Sequence, residues 1–279
     1  MSSLTPERLV QRYVVVHEPR SSELILSAGW FVLLLMAFFV GSGALAVLFA
    51  ATAGIGALQL CGRWAERRQA CNPVLAGFGA AALPLAAYIS NRVLGAAILL
   101  LVAAVMLFPA GFVIPTVVGS TSSKGEQGTP SSPIDLAAGL VDGWVTLGAI
   151  FIPGLAAASV VQVHRIDAMS LVFLGSALCT YDAGDHLCGA GFSSRLIGPL
   201  SGMFGVLVVT ASMQVIGPDP FDGASIWLTG LALALLAPMG QWLGSWLLPR
   251  ADTPAPGLRR LDSWFVAAPF FWLVVAVAA

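Results

Sequence analysis

Charge is what this chain has least of. Only 10% of its 279 residues are Asp, Glu, Lys or Arg, against roughly 25% in soluble globular domains, and 58% are hydrophobic. That balance excludes an ordinary water-soluble domain. Lysine occurs once, as Lys124, the arginines are scattered, and the net charge is -1. No basic face for nucleic acid can be assembled from so few cations, so nucleic acid is not an expected partner. The four cysteines (Cys61, Cys71, Cys179, Cys188) include no CxxC pair, which argues against a zinc cluster and leaves reduced thiols as the expectation. The first 20 residues hold no apolar core, so no cleavable signal peptide is expected there.

What the chain does have is a series of long apolar runs. Residues 1–24 intersperse Leu4, Leu9, Val10, Tyr13 and Val14 with charges, the pattern of an amphipathic helix lying on a membrane surface. The rest, 25–279, reads as one integral membrane domain, all-α and polytopic. Its spans are about nine in number, at about 25–42, 43–61, 72–90, 93–114, 140–162, 168–181, 196–216, 224–248 and 262–279. Barrel strands are excluded because they are about 10 residues long and alternate. The one long polar stretch, TVVGSTSSKGEQGTPSSPID at 116–135, reads as a flexible connection.

Arginines set the expected orientation. Arg8, Arg12 and Arg20 precede the first span, and Arg63, Arg67 and Arg68 follow the second. Both groups belong on one side, which places the N-terminus in the cytoplasm and, after nine crossings, the C-terminus outside. Arg92 and Arg165 fall on the opposite side. The expected location is the cytoplasmic (inner) membrane.

Three polar groups interrupt the apolar pattern at the ends of spans six and eight and the start of span nine. The first is CTYDAGDHLCGAG, Cys179–Gly191, where Asp182 can share a helical face with Asp185 or His186. Carboxylate oxygens suit magnesium, which commonly takes one or two of them along with substrate phosphates. A solvated helix end accounts for the same residues. The second is GQWLGSW, Gly240–Trp246. Its Gln241 is polar in an apolar context, and Trp242 and Trp246 suit an interfacial aromatic belt. The third is LRRLDS, Leu258–Ser263. Arginines here suit phosphate and Asp262 suits a metal, or the group is flanking charge with an internal ion pair.

Taken in order, these groups resemble the motifs of the phosphatidate cytidylyltransferases (CDP-diacylglycerol synthases). Asp182 and Gly189 match that family's Asn-Asp element, whereas its Asn, Ala and Tyr are missing. IGPLSGMFG, Ile197–Gly205, keeps Ile197, Pro199 and Gly205 of the Ile-Ser-Pro-Lys-Lys-Thr element but neither lysine. GQWLGSWLLPR keeps Gly240 and Ser245 of the Gly-Asp-x-x-Glu-Ser element, with Gln241 and Gly244 replacing the acids. PAPG, Pro254–Gly257, is a shortened Pro-Gly-His-Gly-Gly stretch. LRRLDS keeps Arg260, Asp262 and Ser263, with Arg259 in place of the closing motif's first Asp. The specific matches lie within 170–272.

The resemblance implies CTP-dependent activation of phosphatidate or a related lipid phosphate in phospholipid biosynthesis. Asp182 and Asp262 would be the catalytic carboxylates, and Asp182, Asp185 and Asp262 the Mg2+ ligands. Arg195, Arg259, Arg260 and Ser245 would bind phosphate, and CTP and the lipid phosphate would be the substrates. The replacements imply the alternative, a non-catalytic paralogue that binds lipid headgroups or acts as a subunit of an active lipid-synthesis enzyme, because a glutamine is a weaker magnesium ligand than an aspartate and an arginine repels the metal. A homodimer or a partner membrane protein fits this second reading. A transporter is a third reading, from the interrupted spans and intramembrane charge.

Overall fold

The computed structural model describes residues 21–66, 71–107, 136–189, 196–217, 220–221, 223–249, 253 and 255–279. Residues 1–20 of the expected surface helix at 1–24, the polar connection at 116–135, and Arg67, Arg68 and Arg195 lie outside the described residues, while 21–24 open the first helix. Among the described residues the regular elements are all helices: α1 Ser21–Val40, α2 Ser42–Ala65, α3 Pro73–Ile89, α4 Asn91–Leu107, α5 Leu136–Ile166, α6 Ala168–Gly189, α7 Ile197–Ile216, α8 Gly223–Leu247, α9 Pro256–Arg259 and α10 Trp264–Ala278.

Four stretches are long and apolar enough to cross a membrane: Ser42–Ala65, Val141–Ile166, Ile197–Ile216 and Gly223–Leu247. Gly29–Val40, Pro73–Ile89, Asn91–Leu107 and Trp264–Ala278 are apolar but shorter. At 1.5 Å per residue, a 17-residue helix reaches about 26 Å, less than the ~30 Å hydrocarbon core. Many large apolar side chains face outward, among them Phe39, Phe78, Leu99, Phe204 and Leu228. A lipid solvent accepts such a surface and water does not, so the fold is consistent with a membrane protein.

Local chemistry explains where helices stop. Gly41 alone separates α1 from α2, at φ 114°, a backbone conformation that a side chain would strain. Asn72 caps α3 by accepting from the Leu75 amide at 3.0 Å, and Pro73 opens the helix. Ser90 Oγ accepts from the Val93 amide at 3.1 Å where α3 gives way to α4. Asp167 Oδ2 accepts from the Ser170 amide at the start of α6. Pro84, Pro153, Pro238 and Pro269 sit inside helices, which neighbouring helices permit in membranes.

The 31-residue α5 forms the centre, packed against α2, α3 and α10. The most extensive pairing is α6 with α7, and glycine makes it close. A Cβ on Gly202 would stand 2.6 Å from the Tyr181 carbonyl oxygen, and one on Gly184 would stand 2.9 Å from Gly202. Small residues of this kind allow backbones to approach in membranes. α8 joins α7 and α10, and α10 reaches back to α5. The Trp64 indole donates to the Leu247 carbonyl at 2.8 Å, pinning the end of α2 to the end of α8.

The cysteine expectation is corrected. Cys61 and Cys71 are joined as a disulfide, and only Cys179 and Cys188 are free. Their Cα atoms lie 5.4 Å apart.

Candidate functional site

The three polar groups come together where α6, α8 and the turn before α10 meet. α9 is a single turn opened by Pro256. Gln59 on α2 holds it, its Oε1 accepting from the amides of Gly257 at 3.0 Å and Leu258 at 3.3 Å. Three short-range backbone bonds then tighten the chain: Leu261 to Leu258, Trp264 to Leu261 and Phe265 to Asp262. This coil buries Asp262 and Ser263. Glycines on α8 admit it, since a Cβ on Gly240 would collide with the Asp262 carbonyl oxygen and one on Gly244 would stand 2.8 Å from the Asp262 Cβ.

Two hydrogen-bonded chains result. In the first, Ser263 Oγ donates to Asp182 Oδ2 at 3.1 Å and the Ser263 amide donates to Asp262 Oδ1 at 2.8 Å. Arg259 Nη1 lies 3.3 Å from Asp262 Oδ2 and 3.1 Å from Ser245 Oγ. In the second, the Tyr181 hydroxyl donates to Gln241 Oε1 at 2.9 Å, and Gln241 Nε2 donates to Asp185 Oδ2 at 3.2 Å. Asp185 is also enclosed by α7, where a Cβ on Gly198 would stand 2.5 Å from its Oδ1.

The electrostatics are dominated by crowded carboxylates in a dry setting. Asp182, Asp185 and Asp262 repel one another, with Arg259 acting on Asp262 and Arg260 on Asp182 as countercharges. Burial pushes the Asp262 carboxyl above its usual range, and Arg259 and the Ser263 amide pull it back. One oxygen stands out: Asp182 Oδ1 is buried with no hydrogen-bond partner among the described residues.

Of the residues expected from sequence, Asp182, Asp185, Asp262, Ser245, Arg259 and Arg260 are thus gathered in one region. Three carboxylates would offer hard oxygen ligands, but Asp262 accepts on both oxygens, Asp182 accepts from Ser263 and Asp185 from Gln241. Among the described residues, no group of three His, Cys, Asp or Glu side chains is placed to hold a metal ion. As arranged, the cluster does not fit magnesium. Arg259 has the role least expected of a phosphate ligand, being turned onto an internal carboxylate.

Sequence reasoning gave no role to the hydroxyls of Tyr181 and Ser263 or to Gln59. Their one signal is a polar side chain in an apolar surrounding beside a charged residue. Trp242 and Trp246 are exposed on α8, as an interfacial belt requires. No known protein-family model matches this chain, and no curated protein matches its sequence.

Proposed function

We propose that this chain is a phosphatidate cytidylyltransferase-like integral membrane protein that does not catalyse the transfer and works instead as a lipid-binding subunit of a phospholipid-synthesis assembly. The observation that carries the reading is the Arg259–Asp262 contact of 3.3 Å, made by the same Nη1 that reaches Ser245 Oγ at 3.1 Å. Transfer of a cytidylyl group brings two polyanions together and depends on neutralising charge with divalent metal and cations. A guanidinium seated on one of three carboxylates opposes a metal there, and the donors on Asp182 and Asp185 hold the remaining acids for internal cross-linking. The ancestry rests on the order and spacing of the polar groups described above. Nine crossings remain part of the proposal, one for each helix apart from α9, because bilayers thin around helices as short as α10 at modest cost. So does the cytoplasmic membrane as its location.

A second reading, CTP-dependent activation of phosphatidate or a related lipid phosphate, draws support from the unpartnered Asp182 Oδ1 beside two other carboxylates. There the magnesium expected from the resemblance requires Arg259 to leave Asp262. Pyrophosphate release by the purified chain with CTP, magnesium and phosphatidate decides between the two, run beside an Asp262→Ala variant. The proposed reading expects no release above the variant. Metal-dependent release that disappears in the variant would establish the second reading.

A further inference from the structure

The last turn of α2 and the start of α9 enclose an open recess of about 450 Å³, lined by Gln59, Gly62, Arg63, Glu66 and Pro256. None of Asp182, Asp185 and Asp262 lines it. We propose that it binds the headgroup of one zwitterionic phospholipid of the phosphoethanolamine type, with the phosphate on Arg63 and the ammonium on Glu66. The inference gives the lipid-binding reading a specific ligand and rests on that reading for the membrane setting alone.

Three observations carry it. First, position: α2 is one of the helices long and apolar enough to cross a membrane, and Arg63 lies in its last turn, the depth at which headgroups sit. Below the recess on the same helix, Ile55 and Leu58 are half exposed. Residues 55, 59, 62, 63 and 66 follow helical spacing, so an apolar track leads into the polar recess along one face of α2. Acyl chains fit that track.

Second, charge. Arg63 Nη1 and Glu66 Oε1 are 2.7 Å apart, with side chains 32% and 54% exposed. An exposed pair of this kind contributes little to stability, so exchanging it for a ligand is inexpensive. A ligand bearing both charges replaces both halves of the pair. A headgroup with only negative charge meets Arg63 and is repelled by Glu66.

Third, the donor chemistry of the lining separates the zwitterions. A primary ammonium donates hydrogen bonds to a carboxylate, whereas a quaternary ammonium has no N–H and is recognised by aromatic faces. Among the described residues that line it, none is aromatic. Gln59, already fixed by α9, makes the wall rigid.

The test is native mass spectrometry of the full-length protein released from bilayers of equal phosphatidylethanolamine, phosphatidylcholine and phosphatidylglycerol. Retention of phosphatidylethanolamine about tenfold above the other two is expected. Arg63→Gln and Glu66→Gln should each abolish that preference, with helical content and melting temperature little changed because a pair this accessible contributes little to stability. Added soluble phosphoethanolamine should displace the lipid from the native chain and phosphocholine should not, which tests the site without any variant. Preferential phosphatidylglycerol retention, or a preference untouched by both variants, would overturn the proposal. Neither result bears on pyrophosphate release, so this site and the non-catalytic reading fail separately.

Discussion

The Arg259 guanidinium stands 3.3 Å from the Asp262 carboxylate within one turn of chain, and the same Nη1 reaches Ser245 on α8 at 3.1 Å. A single cation therefore fastens α8 to the coil that starts α10. Asp262 is buried and Arg259 is about a fifth exposed (side-chain accessibility 8% and 21%), so removing the arginine alone leaves a carboxylate uncompensated in a dry place. Breaking a buried pair from one side costs about 3 kcal/mol, whereas removing both charges costs far less. Arg259→Ala should therefore destabilise the protein by about that amount in detergent unfolding, and Arg259→Ala with Asp262→Asn should recover most of it. A double variant as unstable as the single one would show that the pair does not act as a unit.

Ser263 is the second fastening. Its hydroxyl donates to Asp182 on α6 and its amide to Asp262, so one residue links two carboxylates 80 positions apart. Ser263→Ala removes the only donor seen on Asp182 among the described residues, whose other oxygen is already unpartnered. Leaving a buried acceptor unmet costs about 1–3 kcal/mol. Ser263→Ala combined with Asp182→Asn should be milder than Ser263→Ala alone, since the charge that lost its donor is gone. Equilibrium unfolding of the three proteins checks it.

Gly240 tests the packing that makes room for this coil. A Cβ there collides with the Asp262 carbonyl oxygen, which is backbone and cannot swing aside. Gly240→Ala should cost about 1–3 kcal/mol, the usual range for overpacking, and should displace Asp262. Gly62→Ala, where a Cβ meets nothing within 4 Å, should be neutral or slightly stabilising. Equal behaviour of the two variants in thermal unfolding would contradict the close approach of α8 to the coil.

The helices were largely legible because apolar runs are local: the expected 196–216 and 224–248 became Ile197–Ile216 and Gly223–Leu247. The sixth was expected to stop near 181, where polar residues begin, yet α6 continues to Gly189. The reason lies elsewhere in the chain. Gln241 and Ser263 supply donors to Asp185 and Asp182, so the polar turns of α6 remain helical and partly buried. That Asp182, Asp185, Gln241, Arg259 and Asp262 stand out was legible, because each is a polar residue beside a long apolar run. What Arg259 does was not, because the choice between phosphate and Asp262 is a matter of distance after folding. The Cys61–Cys71 pair was missed for a similar reason: a separation of ten positions in sequence does not reveal that the two side chains meet.

That pair yields the last prediction. A disulfide between Cys61 and Cys71 closes a short loop and removes unfolded-state freedom, worth about 2–3 kcal/mol for a loop of this length. The loop holds the end of α2, where Trp64 meets Leu247 and Arg63 and Glu66 face the recess. Thiol titration of denatured, unreduced protein should find two reactive cysteines, Cys179 and Cys188, and four after reduction. Cys61→Ser with Cys71→Ser should lower stability by about the stated amount, and reducing agent should do the same to the native chain but nothing to the variant. Four thiols before reduction would mean that the two side chains stand together as free thiols. The arginines flanking Cys61 would then lie, as their charge suggests, in a reducing compartment.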